Sequence, residues 1–293
     1  MAIETAADFV WQAIPPRPRD AHKGTFGSVL AVAGSARYRG AAALAVEGAL
    51  RSGAGIVTLA SIEPVLDAVI PRLPECCLLP CVQSDGSIAV ENLTSLLTHK
   101  ASVLLLGPGL SQTDQTRLLV PRLLGHFEGS SIVLDADGLN LVAAAMHEGR
   151  DFPDRKAADL ILTPHPGEMA RLTGLAPEAI AADREGVAAR YAAKWNAVVV
   201  LKGARTVIAA PDGRCMVNPT GNPGLSRGGS GDVLAGMTAG LLACGLPAFE
   251  AAVCAVYLHG AAADRAAAAR GEYGMLPHDL FVQLGACFAE NER

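Results

Sequence analysis

The chain has 293 residues, of which 51% are hydrophobic and only 4% aromatic, so it can bury a large core made mainly of aliphatic side chains. Its 24 basic and 29 acidic residues give a formal net charge of −5, which argues against a nucleic-acid-binding or membrane-surface protein. No apolar run approaches the roughly eighteen residues of a spanning helix, and positions 1–16 lack the features of a signal peptide. We therefore expect a cytoplasmic protein that forms a single domain over positions 1–293.

Short, continuous apolar runs alternate with helical patterns along most of the chain. Such runs are typical of parallel strands that are buried on both faces and joined by crossover helices. They predict strands at 28–33, 55–60, 103–106, 132–135, 160–162 and 197–202. The Ala- and Leu-rich stretches between them predict helices, among them 41–51, 113–124 and 177–195.

The pattern changes after position 202. Residues 206–210 and 214–217 flank a Pro-Asp-Gly turn, which predicts an antiparallel hairpin. From Gly229 onward the chain is mostly helical, with helices predicted at 248–269 and 278–290. The fold class is therefore α/β: a three-layer α/β/α sandwich around a mostly parallel sheet with an antiparallel edge hairpin.

Loops that follow the predicted strands carry the polar and glycine residues that suggest function. In an open parallel sheet, ligands bind outside the carboxyl ends of the strands. The loops concerned are Ala33-Gly34-Ser35, Gly107-Pro108-Gly109, Asp135-Ala136-Asp137-Gly138, Thr163-Pro164-His165-Pro166-Gly167-Glu168 and Lys202-Gly203-Ala204-Arg205-Thr206. We expect them to converge on one cleft, together with Asp232.

The segment at 221–236 places Asp232 where a glycine-rich loop becomes a helix. Glycines at a helix start let a phosphate approach the unpaired backbone N–H groups, here those of Gly228, Gly229, Ser230 and Gly231. A carboxylate there is unsuited to binding an anion. It is suited to taking a proton from a hydroxyl that attacks the bound phosphoryl group.

A simpler interpretation is that Ser230 and Asp232 only cap the helix. Asp135 and Asp137 are open to the same interpretation, as turn and cap residues. The glycine-rich segment is neither a P-loop, because no Lys-Ser/Thr pair follows it, nor a dinucleotide fingerprint.

Taken together, the motifs resemble the ADP- or ATP-dependent NAD(P)H-hydrate dehydratases of the ribokinase-like superfamily. The matching segments span about positions 21 to 274 and lie at 22–27, 107–109, 134–138, 162–168, 202–203, 218–224 and 228–232. The segment ending at Asp232 is shared by many kinases of this superfamily. The Thr-Pro-His-Pro-Gly-Glu and Asn-Pro-Thr-Gly-Asn stretches at 163–168 and 218–222 are more specific. The chain resembles the dehydratase unit alone, without the epimerase domain of larger bacterial relatives.

The resemblance implies repair of hydrated NADH or NADPH, in which water has added across the C5–C6 bond of the nicotinamide ring. ADP or ATP, with Mg²⁺, would phosphorylate the C6 hydroxyl, and phosphate would then leave. Asp232 would take the hydroxyl proton while the phosphate-binding loop of Gly228, Gly229, Ser230 and Gly231 holds the phosphoryl group.

The resemblance also assigns the remaining site residues. The nucleotide-binding residues would be Lys202, Gly203, Ala204, Arg205 and Thr206, together with Gly231. The substrate-binding residues would be Ala42, Gly109 and His165, together with Asp232. Glu168 corresponds to a kinase glutamate that organises Mg²⁺ through water, with His165 in place of the usual asparagine.

Several alternatives stay open at the level of sequence. ADP and ATP are both possible donors, and Leu225-Ser226-Arg227 departs from the family pattern beside the nucleotide phosphates. The preference between hydrated NADH and NADPH is equally open. A small-alcohol kinase of the same superfamily and a non-catalytic nucleotide sensor are the alternative functions. We expect a homo-oligomer, with a tetramer favoured, that works beside a separate hydrate epimerase.

Overall fold

A computed structural model describes residues 2–127, 131–152 and 159–291 of the chain. Within these ranges the strands are β1 Ile3–Glu4, β2 Ser28–Val32, β3 Ile56–Ile62, β4 Cys77–Cys81, β5 Gln83–Ser84, β6 Ser87–Ile88, β7 Val103–Leu106, β8 Ser131–Leu134, β9 Leu160–Leu162, β10 Val198–Leu201, β11 Val207–Ala209 and β12 Cys215–Val217. The helices are α1 Ala7–Ala13, α2 Arg39–Arg51, α3 Glu63–Val69, α4 Leu93–Thr98, α5 Asp114–His126, α6 Asp137–His147, α7 Pro166–Thr173, α8 Pro177–Ala182, α9 Arg184–Trp195, α10 Ser230–Ala243, α11 Ala248–Arg270 and α12 Asp279–Asn291.

The strands of the main sheet follow the order β1-β12-β11-β10-β9-β8-β7-β2-β3-β4 in the described ranges. All neighbours from β10 to β4 are parallel, whereas β11 is antiparallel to both β10 and β12. Helices cover the sheet, and the aliphatic side chains of β2, β7, β8, β9 and β10 are almost completely buried. The predicted α/β/α sandwich, with a mostly parallel sheet and a mixed edge, is therefore confirmed.

The six predicted parallel strands and the hairpin lie within two residues of their expected ends. The sequence patterns missed β1, which pairs with β12 outside the hairpin, and β4 at the opposite edge. Proline cannot donate a hydrogen bond to a neighbouring strand, and Pro80 is accommodated in β4 because this strand lies at the edge.

The single helix predicted at 177–195 is wrong, because Asp183 separates α8 from α9. The backbone of Asp183 leaves the helical region (φ −142°, ψ 67°), and its side chain accepts a hydrogen bond from Gly186 N at 2.9 Å. A short acidic side chain can satisfy nearby backbone N–H groups, so it favours a new helix start over a continuous helix.

Helices α2 and α10 pack with their backbones almost in contact. A Cβ atom on Gly236 would lie only 2.0 Å from the Ala45 carbonyl oxygen, and one on Gly48 would lie 2.7 Å from the Val233 oxygen. The two helices run in the same direction, and both begin at the carboxyl edge of the sheet. The low aromatic content of the chain suits this packing, because small side chains allow such close approach.

No helix among the described residues combines the length and the apolar character needed to cross a lipid bilayer.

Candidate active site at the carboxyl edge of the sheet

The carboxyl ends of β8, β9 and β10 bring three polar side chains together. Asp135, Thr163 and Lys202 each follow one of these adjacent strands. Asp135 Oδ1 accepts hydrogen bonds of 2.7 Å from both Thr163 Oγ1 and Lys202 Nζ. Asp135 is only 1% exposed, so the structure buries a hydrogen-bonded ion pair where the sequence predicted a ligand cleft.

Lys202 lies between two buried carboxylates. Its Nζ atom is 2.7 Å from Asp135 Oδ1 and 3.8 Å from Glu168 Oε2. Burial opposes the charge of the ammonium group, but the attraction of Asp135 and Glu168 prevails and raises the pKa of Lys202. The residue therefore stays cationic, which suits contact with a nucleotide phosphate.

Asp232 lies in the first turn of α10, within the electrostatic field of this cluster. Burial, together with the negative charge of Asp135, raises the pKa of Asp232 from 3.8 to about 7, and Lys202 partly opposes the shift. Its carboxylate accepts no hydrogen bond from any residue that the structure describes. A carboxylate with a pKa near neutrality is well matched to taking a proton from a hydroxyl.

The start of α10 is open. Gly229 occupies the N-cap position with φ +100°, and no side chain caps the helix. The simpler interpretation, in which Ser230 and Asp232 cap this helix, is therefore wrong. Because a Cβ on Gly229 would lie 2.7 Å from Leu44 Cδ1 on α2, the loop is held against the neighbouring helix. The N–H of Ser230 donates to the carbonyl oxygen of Arg227 at 3.2 Å, so the next N–H groups, those of Gly231 and Asp232, are the ones left to bind an anion.

The glycine-rich loop lies directly beside the buried ion pair. A Cβ atom on Gly231 would be 3.3 Å from Lys202 Nζ and 3.8 Å from Asp135 Oδ2. The open helix start, the cation and the raised-pKa carboxylate thus share one small region. This arrangement holds the groups that phosphoryl transfer requires: N–H donors, a positive charge and a base.

His259 on α11 contacts the backbone of the same glycine-rich loop. The sequence analysis did not predict this contact. Its Nε2 atom lies 3.0 Å from the carbonyl oxygen of Ser230, to which it donates a hydrogen bond. Burial lowers the pKa of His259 to about 4, so the ring is neutral near pH 7. Its position on an almost wholly apolar helix gave no signal of this contact.

His165 and Glu168 close the start of α7 with a reciprocal cap. His165 Nδ1 accepts a hydrogen bond from Gly167 N at 3.0 Å, and His165 N donates to Glu168 Oε2 at 2.8 Å. The other carboxylate oxygen of Glu168 is 3.2 Å from His165 Nε2. Although burial opposes it, hydrogen bonding from His165 and the charge of Lys202 lower the pKa of Glu168. Both oxygens of Glu168 are thus engaged within the protein.

Asp137 also has structural partners. Its Oδ2 atom accepts a hydrogen bond from Ser111 N at 2.9 Å, and its Oδ1 atom lies 3.1 Å from Gln112 Nε2. It does not cap α6, whose N-cap residue Ala136 has no side-chain cap. Asp137 therefore connects the start of α6 to the loop after β7.

Two of the predicted substrate-binding residues, Ala42 in α2 and Gly109 in the loop after β7, lie near the start of α2. Ala42 is fully buried, and a Cβ on Gly34 would lie 3.0 Å from its methyl group. Gly109 has φ +63° and packs against Tyr38, whose side chain is exposed. The structure brings His165 and Asp232 to the charged cluster, whereas the side chain of Ala42 does not line the cleft.

The loop at 202–206 is a compact turn with two positive backbone φ angles, +147° at Gly203 and +54° at Arg205. Thr206 Oγ1 closes it by donating to Gly203 O at 2.9 Å. Arg205 extends outward and pairs with Glu4 at 2.8 Å. The loop begins directly at Lys202, beside the phosphate-binding segment.

The Asn-Pro-Thr-Gly-Asn stretch is fixed to α11 by Asp264, which was also missed. The Asp264 carboxylate accepts hydrogen bonds of 2.9 Å from Gly221 N and Asn222 Nδ2. Downstream, Arg227 donates to the carbonyl oxygen of Tyr273 at 3.0 Å. Arg227, which departs from the family pattern, therefore joins this loop to the segment between α11 and α12.

A cavity of about 700 Å³ lies at the opposite, amino-terminal edge of the sheet. It is lined in part by Trp11, Phe26 and Phe288, with Arg17 stacked 3.6 Å above the Phe26 ring. No carboxylate lines it among the described residues. The buried charged residues at the carboxyl edge are therefore a better guide to the candidate active site than the volume of this cavity.

The model for the NAD(P)H-hydrate dehydratase family matches residues 29–285. The ADP-dependent (S)-NAD(P)H-hydrate dehydratase of Bacillus subtilis is 39% identical over 267 residues, covering 91% of both chains. The chain belongs to this family. A bifunctional NAD(P)H-hydrate repair enzyme of Moorella thermoacetica is 45% identical over 91% of this chain but only 50% of its own length. The chain thus spans about half the length of several curated relatives that it matches.

Solved structures agree with this membership. The Bacillus subtilis ADP/ATP-dependent NAD(P)H-hydrate dehydratase, co-crystallised with ATP and Mg²⁺, superposes with a TM-score of 0.87 at 35% identity over 99% of both chains. A ribokinase-like superfamily protein of Enterococcus faecalis gives 0.85 at 27% identity, over 99% of this chain and 96% of its own. The resemblance predicted from the motifs, including the ribokinase-like fold, is confirmed.

Proposed function

We propose that the chain restores hydrated NADH or NADPH by phosphorylating the C6 hydroxyl group and releasing phosphate. The observation that carries this proposal is the position of Asp232. Its carboxylate has a pKa of about 7 and lies beside the uncapped helix start at Gly229. The names of the relatives in the same family support the choice of substrate.

In the first step, Asp232 takes the proton of the C6 hydroxyl group. The hydroxyl oxygen forms a bond to the terminal phosphorus of the donor, and the bond from that phosphorus to its bridging oxygen breaks. The N–H groups of Gly229, Ser230 and Gly231 hold the transferring phosphoryl group, that of Ser230 by exchanging its hydrogen bond to Arg227 O for one to phosphate, and Lys202 offsets the charge of the group. Fixing these donors before the reaction lowers the cost of reorganisation in the transition state.

In the second step, the C6–O bond breaks as the ring nitrogen lone pair moves toward C6. Phosphate leaves with the bonding electrons, and C5 then gives a proton to water, so that the electrons of the C5–H bond form the C5–C6 double bond. With ADP as donor, one hydrate and one ADP give NAD(P)H, AMP and phosphate. With ATP as donor, one hydrate and one ATP give NAD(P)H, ADP and phosphate. Activation is needed because phosphate is a far better leaving group than hydroxide.

Among the described residues, no group of three or more His, Cys, Asp or Glu side chains is placed to hold a metal ion. Protein side chains alone therefore do not form a Mg²⁺ site there. A magnesium ion would fit as the partner of the nucleotide phosphates, with Glu168 reaching it through water. When bound, the ion neutralises phosphate charge. The loop from Lys202 to Thr206 would contact the nucleotide.

The same proposal includes a cytoplasmic homo-oligomer, with a tetramer favoured. It also includes a separate hydrate epimerase, which would supply the epimer that this chain accepts. Light scattering of the purified chain gives the oligomeric state. Incubating the protein and nucleotide with a mixture of the two hydrate epimers shows whether only one epimer is consumed.

The test is to incubate the protein and Mg²⁺ with hydrated NADH, hydrated NADPH, ADP and ATP in all four combinations. We expect the absorbance of NAD(P)H to return with one phosphate released per hydrate, and the better donor and hydrate to be identified directly. An unchanged hydrate, with phosphorylation of a thiazole or pyrimidine alcohol, would instead identify a small-alcohol kinase. Nucleotide binding with turnover of neither substrate class would identify a sensor.

A further inference from the structure

Arg184 is the first residue of α9, and its guanidinium group lies under the loop at 202–206. Nη1 donates to the carbonyl oxygens of Ala204 and Arg205, and Nη2 donates to that of Leu201 at 2.9 Å. These carbonyls lie on both sides of Lys202 and Gly203. One side chain therefore joins the end of β10 to the turn that follows it.

Within the described residues, the guanidinium group of Arg184 donates hydrogen bonds only to uncharged carbonyl groups. No carboxylate pairs with it in the part of the chain that the structure describes, and its buried Nε atom has no hydrogen-bond partner there. Burial lowers the pKa of Arg184, but a guanidinium group remains protonated under ordinary conditions. An uncompensated positive charge thus lies beside the candidate nucleotide loop.

The loop is also shaped around this guanidinium group. Gly203 has φ +147°, a conformation that L side chains rarely adopt, and a Cβ there would lie 2.9 Å from Arg184 Nη2. The glycine and the arginine are therefore fitted to each other. Without the guanidinium, three carbonyls would lose this donor, and the turn would keep the closing hydrogen bond from Thr206 Oγ1 to Gly203 O but lose its connection to α9.

We propose that Arg184 is a positioning residue for the phosphoryl donor: it holds the loop from Lys202 to Thr206 in its nucleotide-binding shape and adds positive charge to it. This inference rests on the proposed function of the loop. A fixed loop spares the nucleotide the entropic cost of ordering it on binding. Loss of Arg184 is therefore expected to weaken nucleotide binding selectively and to leave the hydrate subsite unchanged.

The experiment compares Arg184→Met and Arg184→Lys with Arg190→Met. Arg190 is a matched control because it lies on the same helix, is exposed and stacks on Tyr191 at 4.9 Å, away from the loop. The measurements are the Kd for ADP and ATP by calorimetry at low and high salt, the Tm without nucleotide, and the KM for each substrate.

We expect Arg184→Met to raise the nucleotide Kd and KM about tenfold, equivalent to about 1.4 kcal/mol, and to change the hydrate KM less than twofold. Arg184→Lys should lie between the wild type and Arg184→Met, because it keeps the charge but not the fork of donors. Arg190→Met should bind nucleotide like the wild type. If Arg184→Met does not fold, the same comparison is decided by Arg184→Lys.

Equal nucleotide affinity in the Arg184 variants and in Arg190→Met would overturn the inference, as would a parallel loss of affinity for the hydrate. Failure of the proposed function would give a different result from failure of this inference. If the folded wild-type chain binds no adenine nucleotide in the presence of Mg²⁺, the nucleotide assignment of the loop fails first.

Discussion

Two helices begin at the same edge of the sheet, and their starts are built in opposite ways. The start of α7 is closed by its own side chains, since His165 and Glu168 satisfy each other and the first N–H groups. The start of α10 has a glycine at the N-cap and no side-chain cap. The difference shows which helix start is complete in the free protein and which is left for a ligand.

The acidic residues of the two helix starts differ in the same way. Hydrogen bonds from His165 help to lower the pKa of Glu168, although burial opposes this. Asp232 has no such donor among the described residues, and burial raises its pKa to about 7. Two carboxylates of one cluster thus take different parts: Glu168 is a fixed anion, and Asp232 is poised to exchange a proton.

The largest expected effect on stability comes from replacing Lys202, the cation between Asp135 and Glu168. In Lys202→Met, Asp135 and Glu168 would remain buried without their cation, so we expect the free energy of unfolding to fall by about 2–4 kcal/mol. Urea denaturation measures this. Lys194→Met on the surface of α9 is the control. A loss no larger than that of the control would contradict the buried pair.

A double variant sharpens this test. In Lys202→Met with Asp135→Asn, the uncompensated carboxylate beside the lost cation is gone, so part of the lost stability should return. Strictly additive losses in the two single variants and the double variant would show that the two groups do not interact.

The second prediction concerns the open helix start and pH. The pKa of Asp232 is about 7 in the folded protein, against an ordinary value of 3.8. The folded state therefore binds the extra proton between these values, and its contribution to stability is present below about 3.8 and lost as pH rises through about 7. Asp232→Asn cannot titrate, so it should gain stability relative to the wild type as pH rises.

This gain is expected to be on the order of 1–3 kcal/mol between pH 4 and pH 8. Denaturation of both proteins across that range measures it. A stability difference that stays constant with pH would mean that Asp232 titrates normally, and the contrast with Glu168 would disappear.

The smallest expected effect lies at the closed helix start. His165→Ala removes the N-cap acceptor and should lower the free energy of unfolding by about 1 kcal/mol. His165→Asn should retain most of the stability, because asparagine is a good N-cap residue. If both variants are equally destabilised, the ring contact with Glu168 and not the cap is the important interaction.

The sequence was sufficient for the features that depend on local patterns. Continuous apolar runs identified the parallel strands, and the glycine-rich segment identified the start of α10. It was insufficient where one residue changes a pattern, as at Pro80 in β4 and at Asp183 between α8 and α9. Propensity alone does not decide such positions, because tertiary context determines them.

The supporting contacts of the site were beyond the sequence for a different reason. His259 is 29 positions from Ser230, and Arg184 is 17 positions from Leu201. Neither residue stands in a motif, and each acts on a backbone carbonyl that any residue type would offer. Only the packing of α11 and α9 against the loops shows these contacts.

The central claim is that Asp232 at the open helix start is the base for phosphoryl transfer, and Asp232→Asn tests it most directly. The variant should fold and bind the adenine nucleotide. Its kcat for phosphate release from hydrated NADH with ADP or ATP should fall by a factor of about 10²–10⁴. Phosphate release at the wild-type rate by a folded, nucleotide-bound Asp232→Asn protein would contradict the account.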